Sequence, residues 1–247
     1  MCLVLRNFVH WDRLLRRHTA SLYYSTNHTL KAQNPLFPFA VSPPHQQPAR
    51  HTMSPLLTPP IPPLVSFYDP EVEGSDHGGR TLFEILSWGD SKLESRHDYI
   101  QILFPLPEGS PFNPEAPIID RATFNSFHSR PELRRQQRLS FLRMTTFYGF
   151  EYPADGEDAS EKKLVQAPHH NDATRRWVMR FNHNHLRCTR IIRSLRVLGL
   201  EKEARDFFEA LENVFEKSGR ISGRSMDFWR RAMERPLYIA PEDEEDR

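Results

Sequence analysis

The sequence between residues 80 and 237 is a succession of segments with helical periodicity, and this feature constrains the fold most. Apolar residues recur there at intervals of three and four, which is the spacing of one face of an α-helix. The segments are bounded by helix signals: Asp120 and Pro131 stand at starts, and Gly149 and Gly199 at stops. No run alternates apolar and polar residues as a strand does. The sequence therefore predicts an all-α fold, a single compact domain of about seven or eight helices.

Individual helices are predicted from the same signals. One ends at Gly89, and the next begins with a capping box from Ser91 to Glu94 and ends before Pro105. The remaining predicted helices cover residues 123–129, 132–148, 172–181, 183–198, 201–217 and 223–235. The three tryptophans expected to be buried between helices are Trp88, Trp177 and Trp229.

The residues on either side of this domain have a different composition. Ten of the 21 prolines lie before residue 64, so residues 1–79 are predicted to be a Pro-rich disordered segment. Residues 238–247 form an acidic tail. The formal charge of +1 divides into +5 for residues 1–52 and −4 for the rest.

Residues 3–17 have the pattern of an amphipathic helix with arginines on its polar side. No acidic residue occurs between Arg13 and Tyr68, which is typical of a mitochondrial presequence. Two other interpretations stay open. The segment is a disordered tail, or translation begins at Met53 and the segment is never made.

The cysteine count and hydropathy exclude several classes of protein. Cys2 and Cys188 are too few for a disulfide framework or a thiolate zinc site, which favours a reducing compartment. No apolar run approaches the ~20 residues that a membrane-spanning helix needs. We therefore expect an intracellular protein, cytoplasmic or nuclear, or mitochondrial if residues 1–52 are translated.

Two long motifs identify a resemblance. The first is SWGD at 87–90 with HDYIQ at 97–101, LFPLP at 103–107 and FNPEAP at 112–117. The second is NHNHLR at 182–187 with TRI at 189–191, SLR at 194–196 and LGL at 198–200. Over about residues 85–237 the chain resembles the conserved region of the opioid growth factor receptor family. Ile102 departs from the family pattern, in which a tryptophan is expected. The resemblance implies a largely helical intracellular ligand-binding module, reported for the family as a receptor for an enkephalin peptide. It implies no catalytic mechanism.

The predicted helix 183–198 is the segment most suggestive of function. Residues 171–199 contain seven arginines and one acidic residue, Asp172. One hypothesis is that salt bridges to the acidic helix 201–216 neutralise them. The other is that they bind phosphate, carboxylate or nucleic acid, because guanidinium groups grip oxyanions bidentately. The aromatic residues lie on predicted core faces, which favours a small anionic ligand or a peptide and disfavours nucleic acid.

The start of this helix supplies the other predicted ligand-binding residues. Asn182 is a predicted N-cap. His183 and His185 lie roughly 200° apart on a regular helix, so they can share a metal ion only if the turn is irregular. The complete predicted ligand-binding set is Asn182, His183, His185, Arg187 and Arg190. No cofactor is predicted for this binding module.

The alternative hypothesis is an enzyme. Asp90, Glu94 and Asp98 are spaced four residues apart, so they lie on one side of the predicted second helix. An acidic face opposite the arginine helix could hold Mg²⁺ in a terpene-cyclase-like site, or in another lyase or isomerase acting on an anionic, partly apolar substrate. His185 and Asp98 are the catalytic candidates. A closed cavity joining Asp98, His185 and Arg190 would favour the enzyme, and an open basic groove the binding module.

Overall fold

A computed structural model describes residues 61–110, 113, 115–153 and 162–238. The predicted amphipathic helix at 3–17, with its presequence interpretation, lies outside the described residues. So do residues 1–60 of the predicted disordered segment and residues 239–247 of the predicted acidic tail.

The all-α fold is confirmed, and the described residues contain ten helices and one two-stranded sheet. The helices are α1 (Pro63–Tyr68), α2 (Leu82–Leu86), α3 (Asp90–Ser95), α4 (Ile100–Leu103), α5 (Arg121–Ser129), α6 (Pro131–Tyr148), α7 (His170–Thr174), α8 (His183–Val197), α9 (Glu201–Ser218) and α10 (Gly223–Glu234). Strands β1 (Phe150–Glu151) and β2 (Val165–Gln166) pair antiparallel between α6 and α7.

The folded body begins earlier than the predicted boundary at residue 80. Helix α1 starts at Pro63, where proline is well tolerated because the first turn of a helix needs no N–H partner. Phe67 and Tyr68 are buried in the common core, and the Tyr68 hydroxyl donates to the carbonyl oxygen of Leu103 at 2.7 Å. The prediction of disorder is therefore wrong for residues 61–79, because the prolines around α1 begin a helix there.

The predicted second helix divides into α3 and α4. Gly89 is the N-cap of α3 and no side chain caps it, so the predicted capping box from Ser91 is wrong. Arg96 has an extended backbone and separates the two helices. The predicted helix at 172–181 is also shorter, because α7 ends at Thr174.

Four other predictions that depended on local chemistry are confirmed. The Asp120 carboxylate accepts the Thr123 N–H at 2.7 Å and so caps α5. Pro131 begins α6, and Gly149 ends it with φ 89°, a left-handed conformation that glycine adopts without strain. The Asn182 side chain accepts the Asn184 N–H at 2.8 Å, which makes it the N-cap of α8.

Helix α8 lies at the centre of the domain and packs against α9 and α10. Its apolar face, which includes Ile191, Ile192 and Leu195, is fully buried. The three tryptophans are buried as predicted. No helix in the part of the chain that the structure describes combines the length and apolar character that crossing a membrane requires.

Candidate ligand-binding site

The four arginines of α8 are buried or half-buried, so they do not form an exposed basic face. Arg187 is 5% exposed and Arg193 is 1% exposed. A buried guanidinium must have hydrogen-bond acceptors, because burying an unpaired charge is strongly unfavourable. The acceptors here are main-chain carbonyl oxygens far away in sequence.

Arg187 binds the C-terminal end of α3. Its guanidinium donates to the carbonyl oxygens of Leu93 at 3.1 Å and Arg96 at 2.6 Å, and also to the side-chain oxygen of Asn184 at 3.0 Å. The last carbonyls of a helix have no partner within it and carry the negative end of the helix dipole. Arg187 therefore caps α3 from another helix.

Arg190 and Arg196 do the same for two further helices. The Arg190 Nε donates to the carbonyl oxygen of Phe104, the C-cap of α4, at 2.7 Å. Arg196 donates to the carbonyl oxygens of Ala232 at 2.8 Å and Arg235 at 3.0 Å, at the end of α10. Helix α8 thus carries the capping side chains of three other helices.

Arg193 pairs with the Glu108 carboxylate and donates to the carbonyl oxygen of Leu237 at 3.0 Å. Among the described residues, the hypothesis of salt bridges to the helix at 201–216 is met by one pair, Arg196 and Glu201 at 3.3 Å. Carbonyl oxygens, more than acidic side chains, therefore compensate the charge of α8.

His185 joins α8 to α10 and to the segment before α8. Its Nδ1 lies 2.8 Å from the Ser225 hydroxyl, and its Nε2 lies 2.9 Å from the carbonyl oxygen of Trp177. The carbonyl only accepts, so Nε2 carries the proton and Nδ1 accepts from Ser225. Burial lowers the pKa of His185, which keeps the imidazole neutral.

His183 is the most accessible of the predicted ligand residues. Its side chain is 41% exposed, and Nε2 lies 3.4 Å from a Glu94 oxygen. The ring packs edge-on against His97 at 5.2 Å between centroids. Burial and the nearby Arg187 lower the pKa of His183, although Glu94 opposes this shift.

The three acidic residues predicted for the enzyme hypothesis belong to different networks. Asp90 pairs with Arg143 at 2.8 Å, Asp98 pairs with Arg80 at 2.7 Å, and Glu94 faces the start of α8. The break between α3 and α4 removes the common helix face on which they were placed. Within the described ranges, no group of three or more histidine, cysteine or acidic side chains is arranged to hold a metal ion.

An open groove lies along α9. One part, the basic pocket, has a volume of about 300 Å³. It is lined by Gln166, His170, Asn171, Thr174, Arg175, Val178, Val214, Lys217, Ser218 and Arg220. No aspartate or glutamate is among these lining residues, and Lys217 and Arg220 make no ion pair with any residue that the structure describes.

The second part of the groove, the strand-edge groove, has a volume of about 490 Å³ and shares Gln166, Val214 and Lys217 with the basic pocket. One wall is the segment 163–166, which includes β2, together with Phe150 of β1, and the other is α9. The Lys163 ammonium bridges the two walls by pairing with Glu209 at 2.7 Å. The two parts form one channel along α9.

The family model described as the opioid growth factor receptor (OGFr) conserved region matches residues 65–236, from α1 to α10. The chain belongs to this family. The opioid growth factor receptor of Rattus norvegicus is 34% identical over 140 residues, which is 56% of this chain and 23% of the relative. That of Homo sapiens is 32% identical over 141 residues, or 56% and 20% of the two chains. The opioid growth factor receptor-like protein 1 of Xenopus tropicalis is 34% identical over 128 residues, or 50% and 23%.

The chain thus spans between a fifth and a quarter of the length of these OGFr relatives. No solved structure matches the chain at a significant level. The family motifs at 87–107 and 182–200 meet in the structure, where Arg187 and Arg190 of the second bind carbonyl oxygens of the first.

The sequence analysis missed the basic pocket. Its cations come from the end of α9 and from the segments beside it, and a lysine in the last turn of a helix is ordinary dipole compensation. The sequence feature that could have predicted the pocket is the pair Lys217 and Arg220. The pair stands at the end of an otherwise acidic helix, and no acidic residue follows it closely.

Proposed function

We propose that this chain is a binding module for an anionic or peptide-like ligand, and that the negative group of the ligand lies in the basic pocket. The observation that carries the proposal is the charge of that pocket. Arg175, Lys217 and Arg220 line it and no acidic residue does. Arg175 pairs with Asp172 at 3.4 Å, but both side chains are more than three-quarters exposed, so a ligand competes with a weak surface ion pair.

The open shape of the groove supports binding over catalysis. The residues expected to converge in an enzyme lie apart, because Asp98 binds Arg80, His185 binds Ser225, and Arg190 binds Phe104. The relatives from rat and human are named receptors, which also supports a binding role. The Mg²⁺-dependent lyase hypothesis has no comparable support.

The ligand-binding role of Asn182, His183, His185, Arg187 and Arg190 stays a prediction. Most of their polar atoms already bind other parts of the protein, and a ligand would have to displace those contacts. We therefore propose that the anionic group of the ligand binds Lys217 and Arg220, whose side chains have no such contacts. Helix α8 then acts as the scaffold on which the groove is built.

The test is direct binding of a fluorescein-labelled hexaglutamate peptide, measured by fluorescence anisotropy at low salt. Removing one cation-to-carboxylate contact weakens such a complex by about tenfold or more. Lys217→Glu and Arg220→Glu should each do so, and added salt should weaken binding to the natural protein.

Arg121→Glu is the matched control. Arg121 is exposed at the start of α5 and does not line the groove, so this variant changes the net charge equally and should bind like the natural protein. Equal loss in all three variants, or no binding at all, would overturn the proposal.

A further inference from the structure

Strand β2 has a free edge. The register pairs Phe150 with Gln166 and Glu151 with Val165, and the Ala167 N–H donates to the Gly149 carbonyl oxygen at 3.0 Å. In an antiparallel pair, hydrogen-bonded and non-hydrogen-bonded residue pairs alternate. Gln166 therefore occupies a non-hydrogen-bonded position, and its N–H and C=O point away from β1. Leu164, two residues earlier, has the same orientation.

These outward main-chain groups have no hydrogen-bond partner elsewhere in the described part of the chain. Neither Leu164 nor Gln166 has a main-chain bond outside the two-stranded sheet. Both residues line the strand-edge groove. Unpaired N–H and C=O groups along a strand edge are a template for another strand.

The groove lies beside this edge. Four consecutive residues, 163–166, line it. Successive side chains of a strand point to opposite faces, so only the edge of the strand can present all four to one space. The opposite wall is one stripe of α9 with spacings of three and four, formed by Asp206, Glu209, Ala210, Asn213, Val214 and Lys217. A groove between a strand edge and a helix is the shape that receives an added strand.

The charges along the channel differ from one end to the other. At one end Asp206 and Glu209 are already paired, with Lys202 at 2.5 Å and with Lys163 at 2.7 Å. At the other end the channel opens into the basic pocket, where Lys217 has no ion-pair partner among the described residues. An extended segment with acidic side chains at the end that reaches Lys217 complements this arrangement.

We infer that an extended segment of a partner protein adds to the free edge of β2 as a third strand, with acidic side chains in the basic pocket. The inference rests on the proposed function for its charged end and adds the main-chain contacts. Leu164 and Gln166 exchange hydrogen bonds with alternate residues of the partner segment. The opposite edge of that segment faces the α9 stripe.

The probe is a labelled alternating threonine and valine peptide with glutamates at both ends, acetylated and amidated so that only side chains are charged. In one further version every threonine carries an N-methyl group, and in another every valine does. Only one set faces β2, so we expect one version to lose about tenfold or more in affinity and the other to lose little. Equal affinity of the two methylated versions would overturn strand addition.

Gln166→Pro removes the outward N–H of β2, and Gln166→Ala keeps it. The N–H has no partner in the fold, so both variants should keep the melting temperature of the natural protein. Gln166→Pro should weaken binding of the alternating peptide by about tenfold or more, and Gln166→Ala should not. Loss of that peptide in Gln166→Ala would contradict the inferred main-chain recognition.

The outcomes separate the inference from the proposed function. Hexaglutamate bound without any effect of N-methylation leaves the basic pocket as a binding site and overturns strand addition alone. No binding of either peptide overturns both. Protection of the Leu164 and Gln166 amides from hydrogen exchange when the alternating peptide binds would support the inference directly.

Discussion

Helix α8 and the C-terminal end of α9 both carry cations, but the two sets of side chains have opposite surroundings. Arg187 and Arg193 of α8 are almost completely buried and bind carbonyl oxygens or a carboxylate of the protein itself. Lys217 is exposed and faces a groove, and it has no ion-pair partner among the described residues. The denser cluster is therefore structural, and the sparser one is available to a ligand. Charge density along a sequence does not distinguish these cases, because the carbonyl partners of Arg187 lie 94 and 91 residues away.

The largest effect is expected at Arg187. Arg187→Ala leaves the carbonyl oxygens of Leu93 and Arg96 without their partner and opens the contact between α3 and α8. Unsatisfied buried polar groups are unfavourable by ~1–3 kcal/mol each, so we expect a loss of roughly 3–5 kcal/mol in the free energy of unfolding. Urea denaturation of the natural and variant proteins measures it.

Arg187→Lys is the control for charge. It keeps the positive charge but not the planar fork that reaches two carbonyl oxygens, so it should recover only part of the loss. An Arg187→Ala protein as stable as the natural one would mean that α8 is not a capping scaffold. The distinction from α9 would then fail.

A smaller effect is expected at Ser225, the partner of His185. Ser225→Ala removes the hydrogen bond to Nδ1 of the buried and neutral His185. A loss of about 1 kcal/mol in the free energy of unfolding follows from the usual value of one hydrogen bond. Ser126→Ala, which removes only a hydroxyl bonded to a carbonyl oxygen of its own helix, α5, should lower the free energy of unfolding by much less in the same denaturation experiment.

The buried histidine also predicts how stability changes with pH. The pKa of His185 is lowered in the folded protein, so below the ordinary value of about 6.5 the unfolded chain binds a proton more readily than the folded one. Stability is therefore complete above that pH and decreases as the pH falls toward the folded pKa.

His185→Gln should make the free energy of unfolding less dependent on pH between about pH 7.5 and about pH 5, because glutamine does not titrate in that range. His183, whose pKa is also lowered, accounts for part of the remaining dependence. Identical pH profiles for the variant and the natural protein would show that His185 contributes nothing to the dependence.

The smallest effect on stability is expected for the cations of the basic pocket, whose substitution should weaken ligand binding most. Lys217→Gln and Arg220→Gln should change the free energy of unfolding by less than about 0.5 kcal/mol, because neither side chain has a charged partner in the described chain. Thermal unfolding without a ligand measures it. A loss comparable to that of Arg187→Ala would place these cations in the scaffold as well.

The sequence predicted those parts of the fold that depend on neighbouring residues. Asp120 and Asn182 cap their helices through main-chain N–H groups two or three residues away, and Pro131 and Gly149 act through their own backbone preferences. Such signals are complete within a few residues. The all-α class and the bounds of α8, α9 and α10 were therefore predicted to within one residue.

The remaining features depend on contacts that a short segment does not reveal. The helix predicted across 91–104 ends early at Ser95, where Arg187 supplies the carbonyl contacts that a continuous helix would have made internally. Strand β2 has only two residues, too few to show an alternating pattern. The groove needs both β2 and α9, so the candidate site could not be located before the fold was known.

The three helix ends capped from α8 have a consequence for how the domain opens. A helix normally frays from its last turn, independently of its neighbours. The carbonyl oxygens at the ends of α3, α4 and α10 instead accept hydrogen bonds from Arg187, Arg190 and Arg196 of one central helix. Local opening of any of these ends requires breaking a contact with α8, so their amide hydrogens should exchange together with those of α8 as one cooperative unit. Proteases should therefore cleave the domain only after it has unfolded as a whole, and partly unfolded forms should be rare.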